Sequence, residues 1–199
     1  MTATLRPGQK GRPRSQAAEA AVLTAATQLM DELRPAQITA EAIAKRAGVS
    51  KATLYKWWPT KTHVLLDAVL QHAITQIPLP DSGSTRQDFV LLLRGFIHFH
   101  KSTNFGVTVA HLFAEGMNDP EILAIYNELY ALPRRAQIRT IWERGVARGD
   151  IRAAIDPELA LDMLYGPIIY RYLVHHAPLE EDFADRVVAM VFDGAAVAG

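Results

Sequence analysis

Apolar residues recur at spacings of three and four along almost the whole chain, and that period belongs to helices. Ala18, Val22, Ala25, Ala26, Leu29 and Leu33 form one such stripe and predict a first helix from about Ser15 to Leu33. Two short helices follow within 38–61, and a longer one runs from about 60 to 77. The stretch Pro78-Leu79-Pro80-Asp81-Ser82-Gly83-Ser84 breaks the pattern and reads as a linker. Further helices are predicted at about 85–101, 105–117, 119–148, 157–176 and 180–196. Pro120 and Pro157 each follow an aspartate, an N-cap with proline in the first turn. No alternating run is long enough for a strand, and no segment repeats. The expected class is all-α, with about nine helices.

The segment 38–61 carries the most specific local chemistry. Thr39 suits the N-cap of its first helix, with Glu41 in the first turn where the helix dipole favours an anion. Ile38 and Ile43 have the spacing of a hydrophobic staple, and Gly48 fits the left-handed position that ends the helix. The second helix repeats the plan. Ser50 caps it, Val49 and Leu54 form its staple, and Pro59 stops it. Leu54 and Trp58 share a face that suits burial, leaving Lys51, Thr53, Tyr55 and Lys56 on faces the core does not need. Thr60 caps the next helix and puts Lys61 in its first turn, where only a nearby anion would relieve the charge. Two short helices joined by a glycine turn, the second armed with donors, suit entry into a DNA major groove.

Charge changes the picture more than composition does. The 199 residues carry no net charge, which alone argues against a nucleic-acid binder. Residues 1–61, however, hold ten Lys/Arg against four Asp/Glu, whereas 62–199 hold eleven against seventeen, a balance of +6 against −6. A basic head on an acidic body is expected when one part faces phosphate. Arg6, Lys10, Arg12 and Arg14 precede the first helix among Pro and Gly, as either a solvated tail or a flexible basic arm over 1–14 that follows DNA. Hydrophobic content of 49% supports a substantial core, and no apolar stretch approaches the ~18 residues of a membrane span. With no cysteine, disulfides and thiolate sites are excluded, and the basic, polar start lacks the apolar region of a signal peptide. A cytoplasmic chain is expected.

From Arg12 to Leu70 the sequence resembles the TetR/AcrR family of one-component transcriptional regulators. The resemblance rests on Gly11-Arg12-Pro13-Arg14, on Ile43-Ala44-Lys45-Arg46-Ala47-Gly48-Val49-Ser50, and on Thr53-Leu54-Tyr55-Lys56-Trp57-Trp58-Pro59-Thr60-Lys61. It implies a three-helix DNA-binding domain over 15–62 and a larger ligand-binding and dimerisation domain over 63–199. The implied function is a repressor, dimeric on a pseudo-palindromic operator and released by a small-molecule effector. Tyr55 resembles the family tyrosine whose hydroxyl reaches a phosphate. The residues expected at DNA are Arg12, Arg14, Thr39, Ser50, Lys51, Ala52, Thr53, Tyr55, Lys56, Trp57, Thr60 and Lys61. Trp57 stands where the family commonly has a smaller aromatic or histidine, and Ala52 where it often has glycine.

The remainder is less specific. Gly166-Pro167 lies inside an apolar helix, where it should cause a kink, and resembles a helix that in one TetR subgroup packs against its twofold mate. Val187, Val188, Met190, Val191 and Phe192 suit the same interface. Phe96, Phe99, His100, Phe105, Phe113, Met117, Tyr126, Trp142, Met163 and Tyr170 could line an effector cavity or be ordinary core. An apolar or aromatic effector is expected there, with His98, His111 or Arg94 as further polar anchors. Histidine spacings give no metal set, no phosphate loop or serine nucleophile motif is present, and neither a catalytic residue nor a cofactor is expected. The alternatives are a non-specific DNA-binding or architectural protein, a helical adaptor working through protein contacts, and, more remotely, a helical-bundle metal enzyme.

Overall fold

The computed structural model describes residues 13–194, with the backbone alone for 13–15. All regular structure among these residues is helical: α1 (Pro13–Glu32), α2 (Ala40–Ala47), α3 (Lys51–Trp57), α4 (Lys61–Gln76), α5 (Thr85–Ser102), α6 (Asn104–Gly116), α7 (Pro120–Tyr126), α8 (Leu132–Arg148), α9 (Pro157–Val174) and α10 (Phe183–Asp193). A short 3-10 turn, Pro35–Gln37, precedes α2 and has no counterpart in the sequence reading. One π turn, Asn127–Ala131, joins α7 to α8. Both junction residues keep right-handed helical angles, so 120–148 is one rod and the described chain has nine. Pro133 explains the π turn: it has no N–H and crowds the carbonyl four residues back, and the wider register accommodates it. Leu132 N–H accordingly donates to Asn127, five residues earlier.

The first three helices form because their ends are capped as the sequence demands. Thr39 Oγ1 accepts from Ala42 N–H at 3.1 Å, and Ser50 Oγ accepts from Thr53 N–H at 3.0 Å. Gly48 adopts φ 67°, and its N–H and that of Val49 close the end of α2. Ile38, Ile43, Leu54 and Trp58 are fully or almost fully buried with Val22, Ala25, Ala26 and Leu29 of α1.

Helix α4 belongs to two neighbourhoods. It packs on α1 at one side and on α6, α7 and the π turn at the other. Val64, Leu65, Leu66, Ala68, Val69 and Ala73 are all buried, a width of apolar surface that serves both. Beyond it, α5 packs on α6, α8 and α10, and α9 on α8 and α10. Residues 78–84 have no helix, but they are not loose. Ser82 N–H donates to the buried Asp88 carboxylate at 2.7 Å, and Arg144 and Arg148 pair with Asp81. Asp150 accepts from both the N–H and the hydroxyl of Thr85, at 3.0 and 2.8 Å. Helix α9 continues through Gly166-Pro167 to Val174 without interruption.

Gly145 lies where α8 meets the start of α5. A Cβ there would fall 2.8 Å from Thr85 Cγ2 and 3.0 Å from Ile151 Cδ1. Gly145→Ala should therefore destabilise the protein by about 1–3 kcal/mol despite alanine's better helix propensity. Urea unfolding checks this, and an unchanged or raised midpoint contradicts the packing described.

Candidate nucleic-acid interface and effector cavity

Buried anchors hold the recognition helix α3 in place. Leu54 and Trp58 are buried, and Trp58 Nε1 donates to Asp67 Oδ2 of α4 at 2.9 Å. Trp57 meets Trp58 edge-on at 5.7 Å between centroids and is half-buried. With that side spent on packing, α3 leaves Lys51, Ala52, Tyr55 and Lys56 exposed together. Thr53 is half-buried, and its hydroxyl shares a hydrogen bond with Ser50 at 2.9 Å. Lys51 pairs with Glu41 of α2, and each charge is favoured by the other: the carboxyl is shifted down and the ammonium up, chiefly by that hydrogen bond. Arg46 is clamped by both oxygens of Glu32, at 2.7 Å each. Lys56 and Lys61 make no ion pair among the described residues. Thr39 and Thr60 cap α2 and α4 with their side-chain oxygens, and the Thr60 hydroxyl also meets His63 Nδ1 at 2.8 Å. Arg12 lies outside the described residues, as does the side chain of Arg14.

A cavity of about 470 Å³ sits behind α4, walled by α4, α5, α6, the π turn, α8 and α9. Phe96, His100, Phe113 and Tyr126 line it, as the sequence suggests. Phe99, Phe105 and Trp142 do not. Phe105 is fully buried and stacks on His72 at 4.0 Å with Phe99 close by, and Trp142 packs against Phe89 and Phe192 in the core. Met117, Met163 and Tyr170 do not line it and are exposed, Met163 and Tyr170 on the outer face of α9 and Met117 just past the end of α6. Of the other suggested anchors, His98 and Arg94 pair with Glu181 and Asp185 of the α9–α10 region, and His111 with Glu115. None of these reaches the cavity.

Tyr130, Arg134, Tyr165 and Tyr172 line the cavity and were not singled out from the sequence. Tyr126, Tyr130 and Arg134 stand four apart, and that spacing was the available signal. Burial raises the pKa of Tyr126, Tyr130 and Tyr165, that of Tyr130 to about 12, so all three present neutral hydroxyls. His100 is held neutral too, its pKa pushed down to about 4 by burial. Its Nδ1–H donates to the Phe96 carbonyl at 2.8 Å, which leaves Nε2 as an acceptor. Gly106 makes room for this ring: a Cβ there would lie 2.9 Å from His100 Cδ2 and 2.7 Å from Tyr172 Oη. His100 and Tyr172 also form part of the wall of a more polar cleft beside Lys101, Arg171 and His175.

The outer face of α9 is apolar and largely exposed among the described residues, with Tyr170 meeting the His176 ring at 4.9 Å between centroids. Leu159, Met163, Tyr170 and Val174 are 49–58% exposed, and a Cβ on Gly166 would meet nothing within 4 Å. Met190 of α10 is 57% exposed. Val187 and Val188, expected at an interface, are instead buried in the chain's own core, and Val191 and Phe192 pack against that core. Among the described residues no helix is long and apolar enough to cross a membrane, and no three His, Asp or Glu gather as a metal site.

A capped helix-turn-helix docked on a helical body with an apolar cavity defines a class of DNA-binding regulator, and the comparisons agree. Residues 22–68 match the model of bacterial regulatory proteins of the tetR family, and residues 79–191 match the tetracyclin repressor-like C-terminal domain. The HTH-type transcriptional regulator YdeS of Bacillus subtilis is 35% identical over 186 residues, covering 94% of this chain and 93% of its own. The crystal structure of the TetR family transcription regulator SCO0332 superposes with a TM-score of 0.86 at 32% identity, over 90% of this chain and 99% of that one. FadR from Bacillus subtilis, solved in complex with stearoyl-CoA, shares the fold with a TM-score of 0.65 at 17% identity, over 89% and 99% of the two chains. The chain belongs to the TetR family and is a DNA-binding transcriptional regulator.

The depressed pKa of His100 makes stability depend on pH. The unfolded imidazole binds a proton below about 6.5 and the folded one only below about 4, so stability is full above 6.5 and falls as pH drops between these values. The loss should reach about 2 kcal/mol by pH 5. Urea unfolding at pH 7 and pH 5 measures it, and His100→Phe should remove most of the difference. An equal pH dependence in the variant contradicts the assignment.

Proposed function

We propose that this regulator is a cytoplasmic repressor, dimeric on a pseudo-palindromic operator and released when a small, largely apolar molecule fills the cavity. The observation that carries the reading is the position of α4. It holds the recognition helix through Trp58–Asp67 and lends Ala73 and Ile77 to the cavity wall, so a ligand and a DNA site act on one helix. The acyl-CoA in B. subtilis FadR supports an effector held inside this fold.

At DNA, Lys51, Ala52 and Thr53 face the base edges, with Lys51 exchanging Glu41 for a base or phosphate. Tyr55, Lys56 and Trp57 follow along the groove wall. Thr39, Ser50, Thr60 and Lys61 sit at helix N-termini, where hydroxyl, ammonium and backbone N–H groups suit phosphate. Arg12 and Arg14 extend the contact into the neighbouring minor groove. The dimer forms through the outer face of α9 with Met190 of α10, where an exposed Gly166 lets two helices approach closely. One half-site per monomer gives little specificity, and the twofold pair supplies the rest.

Selection of fragments from random and source-genome DNA by the purified protein tests this directly. The expected result is one pseudo-palindromic motif. Recovery of no motif by a folded protein contradicts it in favour of non-specific binding. Lys61→Ala should weaken binding to all sequences and lower the salt slope by about one, whereas Thr53→Ala should alter base preference by ~1–3 kcal/mol at one position. Met163→Glu should yield monomers in sedimentation at micromolar concentration, and a persistent dimer would rule out the α9 interface.

A further inference from the structure

Arg134 is an anomaly in the cavity wall. The residue is 8% exposed, yet no carboxylate among the described residues lies within ion-pair distance of it. Among the described residues no Asp or Glu lines the cavity. The other arginine there, Arg135, pairs with Glu158 and, at 2.8 Å, with Asp162. His100 is neutral, as already shown. Arg134 therefore brings an unbalanced positive charge to an otherwise apolar chamber. Among the described residues its guanidinium donates from Nη2 to the Ile77 carbonyl at 2.7 Å and from Nη1 to Gln137 Oε1 at 3.2 Å, and to nothing else. A buried cation without a counter-charge is costly, and an anion arriving with a ligand recovers that cost.

The surroundings restrict what the anion can be attached to. Tyr126, Tyr130 and Tyr165 line the cavity, and their hydroxyls make no hydrogen bond among the described residues. Of these neutral donors, Tyr130 and Tyr165 lie within the influence of the Arg134 charge. Guanidinium and phenol donors together suit a single carboxylate or a comparable delocalised oxyanion. The remaining wall is supplied by Phe96, Phe113, Val109, Ile138 and Leu161, which suit an apolar body. Ile77, whose carbonyl Arg134 now holds, is the C-cap of α4.

We propose that the effector is an apolar molecule bearing one carboxylate-like anionic group, and that this group takes Arg134 away from the Ile77 carbonyl at the C-terminal end of α4. This rests on the reading of the cavity as the effector site and adds the ligand class and the residue through which it acts. The ligand gains a charge-assisted hydrogen bond, and α4 loses a tie to α8. The equilibrium then shifts toward arrangements of the DNA-binding helices that α4 previously excluded.

Matched probes at pH 7 test it by calorimetry: decanoate against decan-1-ol, and 2-naphthoate against 2-naphthylmethanol. In at least one pair the acid should bind about tenfold or more tightly than the alcohol, the size expected of one charge-assisted hydrogen bond. Arg134→Met should bring that ratio close to one while the alcohol still binds. Arg134→Gln keeps a donor for Ile77, loses the charge, and serves if the methionine variant fails to fold; it should lose the preference equally. Arg134→Lys should retain part of it. Bound acid should also speed amide exchange in the last turn of α4, and the alcohol should not. Equal binding of acid and alcohol, or a preference that survives loss of the charge, overturns the anchor but leaves the cavity as effector site. Unchanged exchange in α4 with the acid bound overturns the coupling. Failure of every probe to bind the folded wild-type protein overturns both the anchor and the effector-cavity reading.

Discussion

Helix α4 is fixed at both ends, and the regulator depends on that constraint. Near its start the Trp58 indole is buried against it and donates to Asp67, so the recognition helix cannot rotate without moving α4. At its end the Arg134 guanidinium holds the Ile77 carbonyl, one of the acceptors that a helix leaves without a partner. Between these points α4 is packed on α1 and on α6 to the π turn. A close-packed helix that is held in this way moves as a body or not at all. In our proposal, whatever changes the wall of the cavity is therefore felt where α3 meets DNA.

The electrostatics divide along the same line. On the helix-turn-helix surface Lys51 is paired with the movable carboxylate of Glu41, and such an exposed pair costs little to exchange. Inside, where exchange is costly, His100 and three tyrosines are kept neutral, and Arg134 has no counter-charge among the described residues. In our proposal DNA competes with the exposed pair and the effector answers the buried charge.

The helix-turn-helix was legible in the sequence because its determinants are local. Thr39, Gly48, Ser50 and Pro59 act within a turn of where they stand, and Ile38, Ile43, Leu54 and Trp58 bury as their spacing requires. Helix ends elsewhere fell within a few residues of expectation for the same reason. The cavity was legible only in part. Phe113 and Trp142 look alike in sequence, yet one lines a void and the other packs on Phe89, and only the tertiary arrangement decides between them. The outer stripe of α9 was masked by general apolarity: Ile168 faces inward, Tyr170 faces outward, and both are large and hydrophobic. Arg134 does not stand out in sequence, because an arginine beside Arg135 and Gln137 reads as surface. Pro133 beside it, with the π turn it requires, was the available hint.

The central claim is that cavity and DNA-binding helices share one moving part. The chain has no cysteine, so Gln28→Cys on the exposed side of α1 gives one spin-label site per protomer. Pulsed electron resonance on the dimer would measure the separation of the two DNA-binding domains with operator bound, and again with a cavity-binding acid. A narrow distance is expected on DNA, and a shifted or broadened one, by several ångström, when the cavity is filled and DNA is released. The same narrow distance in both states, with DNA nevertheless released, would contradict that claim.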